Sequence, residues 1–151
     1  DPLFTITIDT REQKPPSFRG IPVATEVDTV DVFDFCIKDD KEWAVERKGM
    51  DDLVNSITVS KNWDRERRKI DKAREGASLN YICECSLSDL VKKYDYSRRK
   101  ISPNFTLSRL RELSLEHDVH VWLVDNKRTS ADWIYRLLRH RNHMLQRESK
   151  G

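Results

Sequence analysis

Glycine is scarce in this 151-residue chain, where Gly20, Gly49, Gly76 and Gly151 are the only four. Spread so thinly, they cannot form the glycine-rich phosphate loop on which ATP-driven and dinucleotide chemistries usually rest. Cysteine is scarce as well: Cys36, Cys83 and Cys85 are odd in number and lack framework spacing, which excludes a disulfide scaffold and fits reduced thiols inside a cell. No apolar run approaches the roughly 18 residues that a bilayer-spanning helix needs. The first residues lack the basic segment and apolar run of a signal peptide. Neither membrane nor secretion is expected, which leaves an intracellular protein, cytoplasmic from a bacterial or phage source and nuclear from a eukaryotic one. Internal repeats and low-complexity linkers are also missing, so residues 1–151 are expected to form a single domain.

What the chain has in abundance is charge. Charged residues make up 36% and hydrophobic ones 37%, which is polar for a globular protein but retains the aliphatic runs that disorder would lack. The net charge of +2 hides an asymmetry: residues 1–60 hold 7 Lys/Arg against 13 Asp/Glu, residues 61–125 hold 14 against 11, and residues 126–151 hold 7 against 2. Carboxylates chelate hard metals and Lys/Arg attract phosphate backbones, so this layout suits a protein holding a cation with its front and a polyanion with the rest. A solvated mixed-charge surface is the plainer reading of any one cluster.

Phe4, Ile6 and Ile8 alternate with Thr5, Thr7 and Asp9, the two-residue period of a strand. After a loop marked by Pro15, Pro16, Gly20 and Pro22, alternation resumes from Val27 to Ile37. The polar turn Asp39-Asp40-Lys41 then joins this segment to a strand over Glu42–Lys48 as a hairpin. Helical spacing follows over Met50–Ile57, and a basic helix over Trp63–Glu75. Further on, a strand is expected over Leu79–Cys85, a helix capped by Ser86 or Ser88 through Tyr94, and a helix over Thr106–His117. A strand over Val119–Val124 and a closing helix over Ser130–Gln146 complete the order, with residues 147–151 as a frayed end. Strands first and then alternation with helices imply an α/β fold with a mixed central sheet flanked by helices.

Asp34 falls near the end of one strand, and Glu46 and Lys48 share a face of the next. Hydrolysing a phosphodiester with a metal ion needs oxygen ligands for Mg²⁺ or Mn²⁺, a positioned water and positive charge beside the crowded phosphate. Asp34 and Glu46 supply the ligands, and Lys48 would orient the water or stabilise developing charge. Asp52, one turn into the following helix, would bind the same metal or fix a neighbouring basic group.

Ile8-Asp9-Thr10-Arg11-Glu12-Gln13, then Asp34, then Val45-Glu46-Arg47-Lys48-Gly49-Met50-Asp51-Asp52-Leu53 resembles the nuclease domain of the XPF family of structure-specific endonucleases, most of all its compact bacterial and phage members. The resemblance implies a restriction-endonuclease-like core, Mg²⁺ or Mn²⁺ as cofactor, and active-site roles for Asp9, Asp34, Glu46, Arg47, Lys48 and Asp52. Asp9 would join Asp34 and Glu46 on the metal, with Arg11 and Glu12 in support. Phe33-Asp34-Phe35 stands where the family has a Gly-Asp-Tyr-like triplet, which removes the backbone freedom of glycine beside the metal. No tandem helix-hairpin-helix module or helicase motif is found in these residues, so a second DNA contact would come from a homodimer or partner subunit.

The expected activity is therefore metal-dependent endonucleolytic cutting of DNA at branched or single-strand to double-strand junctions, in repair or recombination. The alternatives are a catalytically inactive nuclease fold serving as a DNA-binding or dimerising subunit, and a nuclease acting on linear DNA or RNA. Inactive partners lose acids of the motif, whereas this chain retains them. Arg65, Arg67 and Arg68 are expected to hold phosphate, and Trp63 to stack on an unpaired base. Cys83 and Cys85 read as small core residues, and His140 and His143 as part of a basic surface shared with Arg136, Arg139 and Arg141.

Overall fold

A computed structural model describes residues 4–92 and 101–150. Six strands form one mixed sheet in the order β2-β1-β3-β4-β5-β6. They are β1 (Thr5–Asp9), β2 (Ala24–Asp28), β3 (Phe35–Ile37), β4 (Trp43–Gly49), β5 (Ser78–Glu84) and β6 (Val119–Leu123). The helices are α1 (Met50–Thr58), α2 (Ser60–Ala73), α3 (Leu87–Lys92), α4 (Pro103–Glu116) and α5 (Lys127–Lys150). Strand β3 is antiparallel to both β1 and β4, while β2 lies parallel to β1, and β4, β5 and β6 run parallel to one another.

Because side chains alternate across a strand, the sheet has two cores. On one face Ala44, Leu79, Tyr81 and Cys83 meet Leu53, Ile57, Trp63 and Ile70 of α1 and α2 and Leu113 of α4. On the other, Ile6, Ile8, Phe35, Val45 and Ile82 meet Ala131, Ile134 and Leu138 of α5. Cys83 and Cys85 are buried free thiols, as expected of core residues. No helix among the described residues is long and apolar enough to cross a membrane.

Three expectations are corrected. The alternation from Val27 to Ile37 is not one strand: it divides into edge strand β2 and short β3 around a loop at 29–34. Val30 and Phe33 are buried in that loop, and the Val30 backbone bonds to the side chains of Asp9 and Arg11 rather than to a neighbouring strand. The apolar rhythm there records burial beneath a loop, not a pleat. The closing helix is longer at both ends. Asn126 Oδ1 accepts from the amides of Arg128 and Thr129 at 3.0 and 3.1 Å, a side-chain cap that starts α5 before Ser130. The segment expected to fray, 147–150, continues the helix. Finally, Arg141 does not belong to a basic surface: it is 4% exposed and ion-paired to Asp40. Ser86 caps α3 as expected, exchanging hydrogen bonds with Asp89 at 3.0 Å in both directions. The expected extension of this helix to Tyr94 falls outside the described residues.

Candidate active site

Register builds the site. Ile8 lies across from Phe35 on the β1–β3 pair, and Phe35 from Val45 on the β3–β4 pair. One step along the same antiparallel registers, Asp9 lies across from Asp34 and Asp34 from Glu46. Backbone bonds extend both pairings, from Asp9 N–H to Asp34 O at 2.8 Å and from Asp34 N–H to Val45 O at 2.9 Å. Three carboxylates from three adjacent strands thus form a row on the α2 face of the sheet. The turn over 38–42, with Asp39 in the left-handed region at φ 67°, lets the eleven residues between Asp34 and Glu46 form a hairpin that keeps that row.

The row opens into a cleft of about 840 Å³ lined by Asp9, Phe33, Asp34, Glu46, Lys69 and Lys72, among others. Asp34 and Glu46 lie side by side across the β3–β4 pairing. Burial, then the Glu46 charge, pushes Asp34 up to about 8. Burial also works against ionisation of Glu46, but the Lys69 ammonium and then the charge of Lys48 help overcome it and hold Glu46 below its ordinary value. Neighbouring carboxyls disfavour ionisation of both, and Asp34 rather than Glu46 bears that cost.

Asp9 is otherwise committed. Its Oδ1 accepts from Val30 N–H at 3.0 Å, and its Oδ2 accepts from Arg11 N–H at 3.2 Å and Arg11 Nε–H at 2.7 Å. Burial opposes ionisation here too, but these donors hold Asp9 below its ordinary value. Its oxygens fasten the 29–34 loop and the mostly exposed Arg11, and Asp9 lines the same cleft as Asp34 and Glu46.

Arg47 projects from the opposite face of the sheet. Its guanidinium binds Glu84 Oε1 at 2.8 Å, Glu12 Oε1 at 3.3 Å and Lys14 O at 2.6 Å, while its amide donates to Asp34 Oδ2 at 2.9 Å. Arg47 and Glu12 thus tie the β1 loop to β4 and β5. Lys48 lies on the expected face but beneath the helices, with its ammonium 3.2 Å from Ser56 Oγ and 3.8 Å from Glu66 Oε1, outside the lining of the cleft. Asp52 is exposed in the first turn of α1 and does not line the cleft either. Trp63 is 3% exposed and enclosed by Arg67, Arg109 and His117, so its ring has no face free for a base.

Lys69 and Glu66 are the functional candidates that sequence reasoning missed. Lys69 Nζ lies 2.6 Å from Glu46 Oε2, nearer the carboxylate pair than the motif lysine. Glu66 is buried and accepts from the Tyr81 hydroxyl. Both lie within the basic helix, where their neighbours made them look like parts of a solvated face. A helical period of buried positions Trp63, Glu66 and Ile70 is the signal that turns Glu66 toward the sheet.

The ERCC4 domain model matches residues 8–137. The chain belongs to the ERCC4 domain family. The expected kinship with XPF nuclease domains and the mixed α/β fold are thereby borne out. The ERCC4 chain is similar in fold to XPF from Aeropyrum pernix, with 17% identity and a TM-score of 0.69 over 89% of this chain and 64% of that one. It is also similar to XPF from Aeropyrum pernix in complex with DNA, with 16% identity and a TM-score of 0.73 over 93% of this chain and 66% of that one. The chain therefore spans slightly less than two thirds of each of these proteins. A search of curated proteins found no match.

Proposed function

We propose that this ERCC4 domain is a Mg²⁺- or Mn²⁺-dependent endonuclease that cuts DNA at branched or single-strand to double-strand junctions. The observation that carries the reading is the Asp34–Glu46 pair, half-buried at Asp34 and buried at Glu46, held by register in an open cleft that Arg11, Lys41, Lys69 and Lys72 also line. Among the described residues no three metal-ligating side chains converge, and two carboxylates suit Mg²⁺, which keeps several waters and completes its shell with phosphate oxygens. Asp34 and Glu46 would hold the ion, which supplies a Lewis acid and a more acidic bound water. The chain itself orients Asp34 through the Arg47 amide and keeps positive charge at the cleft through Lys69 and Lys72.

On α2, residues Arg65, Arg68, Lys69 and Lys72 recur at positions i, i+3, i+4 and i+7, a single stripe that ends at the cleft. Arg65 and Arg68 are exposed and make no ion pair among the described residues, whereas Arg67 is spent on Asp64 and the Trp63 ring. Replacing Arg65 or Arg68 by Ser is accordingly expected to weaken DNA binding, and each change should lower the slope of log affinity against log salt by about 0.9. Arg67→Ser should change that slope less. Fluorescence anisotropy over a salt series checks this, and equal slopes for all chains would return the stripe to a solvated face.

The decisive assay incubates the chain and Mg²⁺ or Mn²⁺ with matched single-stranded, duplex, flap, fork and four-way DNAs. A junction brings extra phosphates to a basic stripe and lowers the cost of bending at the branch, so flap and fork are expected to be cut faster than plain duplex. Equal rates would remove the preference for junctions but not the nuclease. DNA binding without any cutting would favour the inactive DNA-binding subunit. A second chain, identical or not, would complete the grip on DNA.

A further inference from the structure

Lys69 stands out from the rest of the basic stripe. Its Nζ is 2.6 Å from Glu46 Oε2 and 4.0 Å from Glu66 Oε1, and lies 5.1 Å from the centre of the Phe33 ring. Glu46 is 8% exposed at its side chain, yet Lys69 is 44% exposed. The carboxylate is therefore fixed in the sheet, while the ammonium reaches it from outside along a flexible stem that can swing back to solvent. Lys48 cannot exchange places with it, since its ammonium is held beneath the helices by Ser56 and Glu66.

A buried carboxylate such as Glu46 needs positive charge close by, and a divalent ion at Asp34 and Glu46 would place its own charge where the Lys69 ammonium now is. Two cations cannot share Glu46 Oε2 at hydrogen-bond range without strong repulsion. Given the metal-dependent reading of this cleft, we propose that Lys69 is the resident counter-ion of the Asp34–Glu46 pair and competes with the divalent cation for it. Lys69 thereby sets the metal concentration at which the site fills. Its place in the stripe with Arg65, Arg68 and Lys72 leaves the displaced ammonium at the rim where phosphate would lie.

The test is Mn²⁺ binding to the chain without DNA, followed through the electron paramagnetic resonance signal of free Mn²⁺. Lys69→Met keeps the stem and removes the charge. It should bind Mn²⁺ on the order of tenfold more tightly than the wild type, because a hydrogen bond between charged groups is worth about that factor or more. Lys69→Arg should stay near the wild type. Lys72→Met removes an equal charge from the cleft lining without touching the carboxylates, and should gain less than Lys69→Met. An unchanged or weaker affinity in Lys69→Met, a gain in Lys69→Arg equal to it, or an equal gain in Lys72→Met would overturn the competition. Glu46→Gln should lose Mn²⁺ binding, and wild-type affinity in that variant would overturn both the competition and the metal site on which it rests.

Discussion

Asp34→Asn and Glu46→Gln are each expected to lower the rate of DNA cutting by at least about 10²–10³-fold, the scale on which removing one electrostatic element of an active site acts. DNA affinity measured without a divalent cation should stay the same or rise, because neither change adds negative charge to a cleft that must admit phosphate. Both replacements preserve shape. An Asn at position 34 can still accept the Arg47 amide that now reaches Asp34 Oδ2 at 2.9 Å. A Gln at position 46 releases Lys69, which is 44% exposed and can find water. The loss should therefore appear in cutting with the fold intact, as followed by thermal unfolding. Near-normal cutting by either variant would remove the pair from the chemistry.

The pair was legible in the sequence because Asp34 adjoins β3, Glu46 lies within β4, and strand register is a two-residue code. Glu46 and Lys48 necessarily share a face, and the hairpin turn brings Asp34 opposite Glu46. What periodicity could not supply was the environment above that face. Lys48 has the right face, but α1 and α2 close over it, and its ammonium is taken by Ser56 and Glu66. Lys69, 23 residues from Glu46 in sequence, reaches the carboxylate only because α2 folds back over the sheet. Asp9 also has its expected place in the row, and the bonds its oxygens accept from Arg11 and Val30 are local contacts that a motif does not display.

Phe33 shows the same limit in the backbone. Its residue type implies loss of the freedom glycine would give beside Asp34, yet Phe33 adopts that left-handed region, with φ 66°. The conformation costs a non-glycine residue about 1–3 kcal/mol. Burial to 3% exposure and edge-on packing against Tyr81, with ring centres 5.6 Å apart, offset it. Side-chain packing compensates for a backbone preference that sequence alone would assign to glycine.

Arg141→Met is expected to destabilise the chain by about 3–5 kcal/mol, the cost of leaving a buried charge without its partner. Arg141 reaches from α5 to the β3–β4 turn, where Nε lies 2.9 Å from Asp40 Oδ2 and Nη2 lies 3.3 Å from Asp40 Oδ1 and 3.2 Å from Glu42 Oε2. The Arg141 and Asp40 side chains are 4% and 7% exposed, so neither regains water when the other is lost. The same turn fixes β3 against β4, and with it the register that sets Asp34 opposite Glu46. Arg136, also on α5, pairs with Asp132 at 2.8 Å where both are more than half exposed, and Arg136→Ala should cost no more than about 1 kcal/mol. Urea denaturation of the two variants separates these cases. Equal midpoints would show that the Asp40 pair is no stronger than a surface one. DNA affinity at a temperature where both variants are folded supplies the second contrast. An arginine on a phosphate-facing surface would lower the salt slope of binding when removed, whereas Arg141, spent inside the fold, should leave that slope unchanged while the unfolding midpoint falls.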